Sequence, residues 1–328
     1  MKAYQLIKYG PSKEAFKTID VKTPEINDDE LLVKVKAAGI NPVDIKMRLG
    51  MIPSLDLPTI LGYDFSGVVE KVGKNVTRFK IGDEVYSAGA NPHDKGGSYA
   101  EYTAVNERLA AIKPKNITFV EAASIPLVGI TAYEAIFEKL NLQEKEDILI
   151  HGGTGGVGSI AIQLAKLKGA EVYSTISSLR KKKIVESLGA ISIDYTEECF
   201  VRYAKNLPGS GFTKIFDTVG GKVFQESLGA LKPYGQIASI LNVFDESLDL
   251  SSAMINNASI HFTMMLLPLR LGLYDQMKKQ GVILENLCHL IESGKIVPRV
   301  EKVFSDMIKA HNHAEKGGLE GKLVVEFN

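Results

Sequence analysis

Asp147-Ile148-Leu149-Ile150-His151-Gly152-Gly153-Thr154-Gly155-Gly156-Val157-Gly158 is an apolar run that breaks into glycine. Gly153, Gly155 and Gly158 fit G-x-G-x-x-G. Beyond them Val157, Ile160, Ala161, Leu164 and Leu167 recur at three- and four-residue spacing, which predicts an amphipathic helix over 157–168. A strand that turns through glycine into a helix gathers backbone N–H groups and the positive helix end where a pyrophosphate would lie. The motif alone is weak evidence in a chain with 30 glycines; the strand before it and the helix after it give it weight. The alternative is a glycine-rich strand-to-helix turn that holds no ligand.

Roughly 20 residues further on, a fold that prefers NAD would place Asp or Glu against the ribose 2′-hydroxyl. Here the chain reads Ser174-Thr175-Ile176-Ser177-Ser178-Leu179-Arg180-Lys181-Lys182-Lys183. Ser177 and Ser178 can donate hydrogen bonds to a 2′-phosphate and Arg180 or Lys181 can supply charge, so the expected cofactor is NADPH. The competing reading of the four basic residues is the solvated first turn of a helix, and four side chains cannot all touch one phosphate.

Around the turn, apolar strands are expected at 148–150, 171–176, 191–193, 214–216, 236–240 and 260–264, with helices between them. That alternation predicts an α/β fold with a doubly wound parallel sheet. The first third of the chain differs: Leu31 to Ala37, Gly67 to Gly73 and Glu84 to Ser87 are short β-rich runs parted by Gly, Pro, Asn and Asp, the pattern of a mostly antiparallel β domain. After Met265 come expected helices at 274–280 and 284–293 and a last strand at 322–327. Some sixty residues of that mix are too few for a separate large core. The expected organisation is 1–124 as the first part of a catalytic β domain, 125–265 as an inserted nucleotide-binding domain, and 266–328 returning to the β domain.

The 328 residues are 45% apolar and carry 39 basic and 39 acidic groups, so no charge surplus points to nucleic acid or a membrane surface. Two cysteines, Cys199 and Cys288, make no disulfide framework, and a reducing cytoplasm is the default. Cys288 falls at helical spacing with Leu284, Leu287 and Ile291, which reads as a buried thiol. The N-terminus lacks the apolar core of a signal peptide, and no apolar run approaches the ~20 residues of a membrane span.

With these motifs in order, the chain resembles the medium-chain dehydrogenase/reductase superfamily and, within it, the zinc-free quinone oxidoreductase (zeta-crystallin-like) branch. The resemblance rests on Ala38-Gly39-Ile40-Asn41-Pro42-Val43-Asp44, Leu61-Gly62-Tyr63-Asp64-Phe65-Ser66-Gly67, Gly82-Asp83-Glu84-Val85, Ala122-Ala123-Ser124-Ile125-Pro126, Phe216-Asp217-Thr218-Val219-Gly220-Gly221, Gly321-Lys322-Leu323-Val324-Val325 and the glycine turn. It implies a Rossmann domain inserted in a GroES-like catalytic domain. It further implies that Asn41 lines the nicotinamide end of the site, that Lys181 and Tyr195 flank the 2′-phosphate, and that Thr218 meets the cofactor; Gly153, Thr154, Gly155, Gly156, Val157 and Gly158 form its turn. The competing reading of Tyr195 is a strand aromatic packed on the sheet. Lys46 stands where some relatives carry an aromatic residue beside the nicotinamide, a departure that leaves its role open.

Zinc-dependent relatives hold their metal with a cysteine and a histidine where this chain has Asn41 and Tyr63. Four cysteines for a structural zinc are lacking as well, since only Cys199 and Cys288 exist. His311 and His313, two apart, would face different sides of a helix. The resemblance then implies metal-free hydride transfer from NADPH to a quinone or a small α,β-unsaturated carbonyl compound, which needs positioning more than a dedicated acid. Asn41 and Tyr63 are the candidate catalytic residues, Tyr63 being either an oxygen partner or a tyrosine that fills a vacated site. Asp44 and Asp64 read as loop ties through backbone hydrogen bonds. Alternatives are an enoyl-thioester or other alkene reductase, and a low-turnover NADPH-binding protein, crystallin-like or RNA-binding. The apolar strand 260–264, expected at a sheet edge, suggests a homodimer.

Overall fold

The computed structural model describes residues 1–52, 55–241 and 248–327. The chain divides into two compact units, Met1–Leu127 with Leu266–Asn328, and Val128–Met265.

In the first unit β1 (Lys2–Leu6) pairs antiparallel with β2 (Phe16–Asp20) and, through two residues, with β4 (Thr59–Ile60). The long β3 (Glu30–Ile40) is the spine of a larger sheet. It pairs antiparallel with β5 (Phe65–Val72), β7 (Tyr102–Asn106) and the C-terminal β16 (Lys322–Glu326). Beyond β5 lie β6 (Glu84–Ser87) and β8 (Ala110–Ile112), and β15 (Val300–Phe304) adds to β16 in parallel. Leu31, Val33 and Val35 alternate along β3 into a core with Phe65, Val69, Val85 and Val105, the period-2 pattern of a sheet with one packed face. Register Leu323↔Ile40 and Val324↔Gly39 brings the last strand beside the residues that precede Asn41.

The expected helices 274–280 and 284–293 are one 19-residue helix, Tyr274–Glu292. Gly281 does not break it. A Cβ there would lie 2.2 Å from the Arg108 carbonyl oxygen, so glycine lets the helix press against a neighbouring backbone rather than ending it. Cys288 is buried on that helix with Leu284, Leu287 and Ile291.

In the second unit six parallel strands run β9 (Asp147–Ile150), β10 (Glu171–Ile176), β11 (Ile191–Asp194), β12 (Phe212–Asp217), β13 (Leu231–Ser239) and β14 (Ser259–Phe262). Their order in the sheet is β11-β10-β9-β12-β13-β14. Helices Gly156–Leu167, Leu179–Ser187, Phe200–Lys205, Lys222–Leu228 and Ser251–Ile255 connect them. Leu149, Tyr173, Ile193, Phe212, Ile215, Phe224 and Ile237 share one buried cluster. The strand order reverses between β9 and β12, and in open parallel sheets ligands bind outside the carboxyl ends of the strands at such a point. The strand expected at 260–264 ends at Phe262, leaving Met264 exposed beyond it. Among the described residues no helix is long and apolar enough to cross a membrane.

Candidate functional site

At the switch point β9 runs into the glycine turn, and Gly155 caps the helix Gly156–Leu167. The three motif glycines are there for different reasons. A Cβ on Gly153 would stand 2.1 Å from Ser174 Oγ, and one on Gly158 2.3 Å from the Gly152 carbonyl oxygen; the protein itself fills both places. On Gly155 the only neighbour would be the Gly152 carbonyl oxygen at 3.3 Å, at an ordinary φ of −73°. What its missing side chain leaves free is the approach to the first N–H groups of the helix, and a Cβ would intrude there. That cradle, with Gly156 and Val157 part-exposed and Thr154 buried behind them, suits a pyrophosphate.

His151 holds the turn from beneath. Its backbone N–H donates to the Phe216 carbonyl and its own carbonyl accepts from Thr218 Oγ1 at 2.7 Å. The ring is fully buried, with Nδ1 3.1 Å from Thr175 Oγ1 and Nε2 3.0 Å from Ser227 Oγ. Ser227 already gives its single hydroxyl hydrogen to the Val223 carbonyl, so toward the ring it accepts. Nε2 therefore carries the hydrogen and Nδ1 accepts from Thr175. Burial pushes the ring down to about 4, with the Asp217 charge opposing. Asp217, at the end of β12, accepts from the backbones of Val219 and Gly220 and from Ser239 Oγ, which fixes the loop that carries Thr218.

The end of β10 carries no carboxylate. Ser178 caps the helix Leu179–Ser187 by accepting from the Lys181 backbone N–H, and Lys181 Nζ donates to Ser177 Oγ at 3.1 Å. Tyr195 follows β11, bonded through its N–H to the Ile176 carbonyl, with its side chain 53% exposed. It lies one residue past the end of β11 and is more than half exposed, so it is not a core aromatic of the sheet. Arg180, Lys182 and Lys183 are exposed, and Lys182 lies 3.9 Å from Glu186 in its own helix.

The first unit holds the other candidates in a buried polar cluster. Asn41 donates through Nδ2 to Asp64 Oδ2 at 2.9 Å and accepts at Oδ1 from Lys322 Nζ. The same ammonium donates to the Ile40 carbonyl at 2.9 Å and to Asp64 Oδ2 at 3.2 Å. Asp64 Oδ1 accepts the Leu127 N–H, and Asp44 Oδ2 accepts the N–H of Asn41, the backbone ties expected of these two acids. Tyr63 is 1% exposed and its hydroxyl reaches only Met47 Sδ, at 3.5 Å. Desolvation first, and the Asp44 charge second, push that hydroxyl well above its usual range. Lys46 is half-buried on the helix Pro42–Arg48 that Asn41 begins.

Four buried residues here went unassigned at the level of sequence: His151, Tyr99, His311 and Lys322. Lys322 lay inside a motif whose chemistry no local pattern reveals, because its partners are far away in the chain. His311 is buried against Tyr99 while His313 faces Glu301, so the two do lie on different sides of their helix.

A zinc ion finds too few donors in this arrangement, whose two carboxyl groups, Asp44 and Asp64, are already engaged with Asn41 and Lys322. Asn41 presents an amide already bonded at both ends, Tyr63 a hydroxyl that keeps its proton, and the neighbouring cation is an ammonium. Among the described residues no group of three or more His, Cys, Asp or Glu could hold a metal. The donor chemistry does not fit zinc.

A glycine cradle at the switch point of a doubly wound sheet, on a chain that also folds an antiparallel β unit, defines a dinucleotide-dependent dehydrogenase. Residues 27–115 match the alcohol dehydrogenase GroES-like domain and residues 156–272 the zinc-binding dehydrogenase family. The chain is 36% identical over 340 residues to the 2-methylene-furan-3-one reductase of Solanum lycopersicum, covering 99% of this chain and 79% of that protein. It is equally similar, with the same coverage, to the chloroplastic NADPH-dependent alkenal/one oxidoreductase of Arabidopsis thaliana. The crystal structure of the Escherichia coli quinone oxidoreductase complexed with NADPH superposes with a TM-score of 0.87 at 27% identity, over the whole of both chains. The chain belongs to the medium-chain dehydrogenase/reductase superfamily, in its zinc-free quinone oxidoreductase branch.

The buried neutral ring of His151 sets a pH dependence. Its folded pKa lies below the unfolded value near 6.5, so between about pH 6.5 and about 4 the unfolded chain binds the proton first and stability falls as pH falls. That loss is expected to be smaller by ~3 kcal/mol in His151→Gln than in the parent, read from denaturant unfolding at a series of pH values. Equal losses in both proteins would contradict it.

Proposed function

We propose that this protein is an NADPH-dependent, metal-free reductase of small α,β-unsaturated carbonyl compounds or quinones. The observation that carries the cofactor is the end of β10, where Lys181 and Ser177 stand paired and the segment 174–183 contains no Asp or Glu. A 2′-hydroxyl has nothing to bind there that a 2′-phosphate would not bind better. The reaction class is supported by the related enone and alkenal reductases and by the replacement of metal donors by Asn41 and Tyr63.

When bound, NADPH supplies a hydride equivalent, delivered in conjugate fashion so that charge gathers on an oxygen. The glycine cradle, through Gly153, Gly155, Gly156, Val157 and Gly158, would hold the pyrophosphate, with Thr154 and Thr218 lining it. Ser177, Lys181, Arg180 and Tyr195 would receive the 2′-phosphate. Asn41, fixed by Asp64 and Lys322, orients the nicotinamide end, with Lys46 on the helix behind it. Tyr63 acts as a hydrogen-bond donor rather than a source of protons. Its hydroxyl is held protonated, and its partner, a thioether, is a weak acceptor, so a substrate oxygen that reached this buried group would displace that partner readily. A second copy is expected to join along β14, the last strand in the sheet order among the described residues, where Phe262 is exposed, since an edge strand is a template for pairing.

Rates with NADPH should be highest for alkenals, enones or 1,4-quinones; turnover confined to enoyl thioesters would replace this assignment with the alkene-reductase alternative. Gly155→Ala is expected to leave the melting temperature within ~3 °C of the parent while NADPH binds at least tenfold, or ~1.4 kcal/mol, more weakly. Lys181→Ala should weaken NADPH and leave NADH nearly unchanged, and equal effects on both would sink the phosphate assignment. Light scattering should give twice the chain mass, with an edge charge such as Ile260→Lys yielding monomers. A parent that is monomeric at all concentrations would refute the dimer.

A further inference from the structure

Asp44 and Asp64 are both wholly buried, and the cation beside them is the single ammonium of Lys322. The other nearby cation, Arg48 of the same helix as Asp44, is bonded to Glu315 and to the Gly10 carbonyl. Two carboxylates and one ammonium would leave an uncompensated negative charge in a region without water access, at a cost of several kcal/mol. One proton removes it.

Hydrogen bonding decides which acid takes that proton. Asp64 accepts from the Asn41 amide, from Lys322 and from the Leu127 backbone, three donors that favour its ionised form. Asp44 accepts one backbone N–H, from Asn41, and its Oδ1 has no partner of ordinary hydrogen-bond geometry. The other titratable groups that face it are Tyr63 and Tyr99, both strongly held in their protonated forms by burial. The Tyr99 hydroxyl interacts with the Asp44 carboxyl and lies 3.2 Å from Nε2 of the buried, neutral His311. That hydroxyl can donate to an ionised Asp44 and so opposes burial, but with the Asn41 N–H it makes two donors against the three that Asp64 receives, so the proton still falls to Asp44.

We propose that the Asp44–Asp64 pair carries one proton, held on Asp44, and that Asp44 is a positioning residue whose ionisation draws Lys322 away from Asn41 and so disables the site. Burial raises the Asp44 carboxyl to about 7, opposed by its hydrogen bond from Asn41 and by Lys322. The sign follows: this group favours the folded, assembled state at low pH and ceases to do so as pH rises through about 7. The role of Asp44 in turnover rests on the reductase assignment; the location of the proton does not.

Infrared difference spectra of the full chain should show a protonated-carboxyl C=O band at about pH 5 that fades with a midpoint near 7 and is lost by about pH 9. Asp44→Asn, whose side-chain oxygen can still accept the Asn41 N–H, should lack the band. Lys322→Gln should keep it and move its midpoint upward, because the opposing cation is gone, and this variant decides the matter if Asp44→Asn does not fold. In parallel, kcat/KM for an enone with NADPH should fall about tenfold per pH unit above the midpoint in the parent and stay level in Asp44→Asn. A titrating band that survives in Asp44→Asn, or its absence from the parent, overturns the shared proton. The same alkaline limb in both proteins overturns the positioning role. A band that titrates as described in a chain that reduces no acceptor sinks the reductase assignment alone.

Discussion

One buried ammonium ties together parts of the chain that are hundreds of residues apart. Lys322, on the last strand, donates to the Ile40 carbonyl, to Asn41 and to Asp64. Removing one partner of a buried pair leaves the other charge stranded, which typically costs ~3–5 kcal/mol; the cluster therefore holds as a whole or not at all. Its geometry dictates the orientation of Asn41, whose amide has no freedom to turn with Asp64 at one end and the ammonium at the other. It also dictates what the cluster can recruit. A cation is already there, so the chemistry of this unit has to come from fixed hydrogen-bond donors and not from a Lewis acid.

Burial holds several titratable side chains of the two units in their neutral forms. His151 under the glycine turn and His311 behind Tyr99 are held as free imidazoles, to about 4 and about 3. Tyr63 keeps its proton. These are the states that hydrogen-bond partners demand: His151 must accept from Thr175 and donate to Ser227 at once, which only one neutral tautomer can do. The glycine turn is thus supported by a ring whose orientation is chosen by two hydroxyls on different elements, Thr175 on β10 and Ser227 on the helix Lys222–Leu228.

Much of this was legible in the amino-acid order, and the boundary has a physical basis. The parallel sheet declared itself through apolar runs a few residues long, since a strand covered on both faces needs nothing but apolar side chains. The glycine turn was legible because its constraints are local. The helix Tyr274–Glu292 was not, because Gly281 looks like a break in a one-dimensional pattern and is a contact in three dimensions. Tyr195 could not be told from a core aromatic until its exposure was known. The polar cluster was least legible of all: Asn41, Asp64 and Lys322 meet through the pairing of β3 with both β5 and β16, and no window along the chain contains them together.

The residues proposed to receive the 2′-phosphate follow the same logic by simpler means. Lys181 Nζ donates to Ser177 Oγ, so the serine oxygen is satisfied from one side while its own hydrogen has no acceptor among the described contacts. An ammonium and a hydroxyl in that relation present two donors to a common point, and an anion with several acceptor oxygens satisfies both at once. A ribose hydroxyl offers the same donors a single uncharged oxygen, a weaker acceptor than the several anionic oxygens of a phosphate. On the proposed assignment, preference between the two nucleotides would arise from a pair of donors whose mutual hydrogen bond is already made before the ligand arrives. The ordering entropy of the long lysine side chain is met in the free protein, so the anion gains the contact at little further cost.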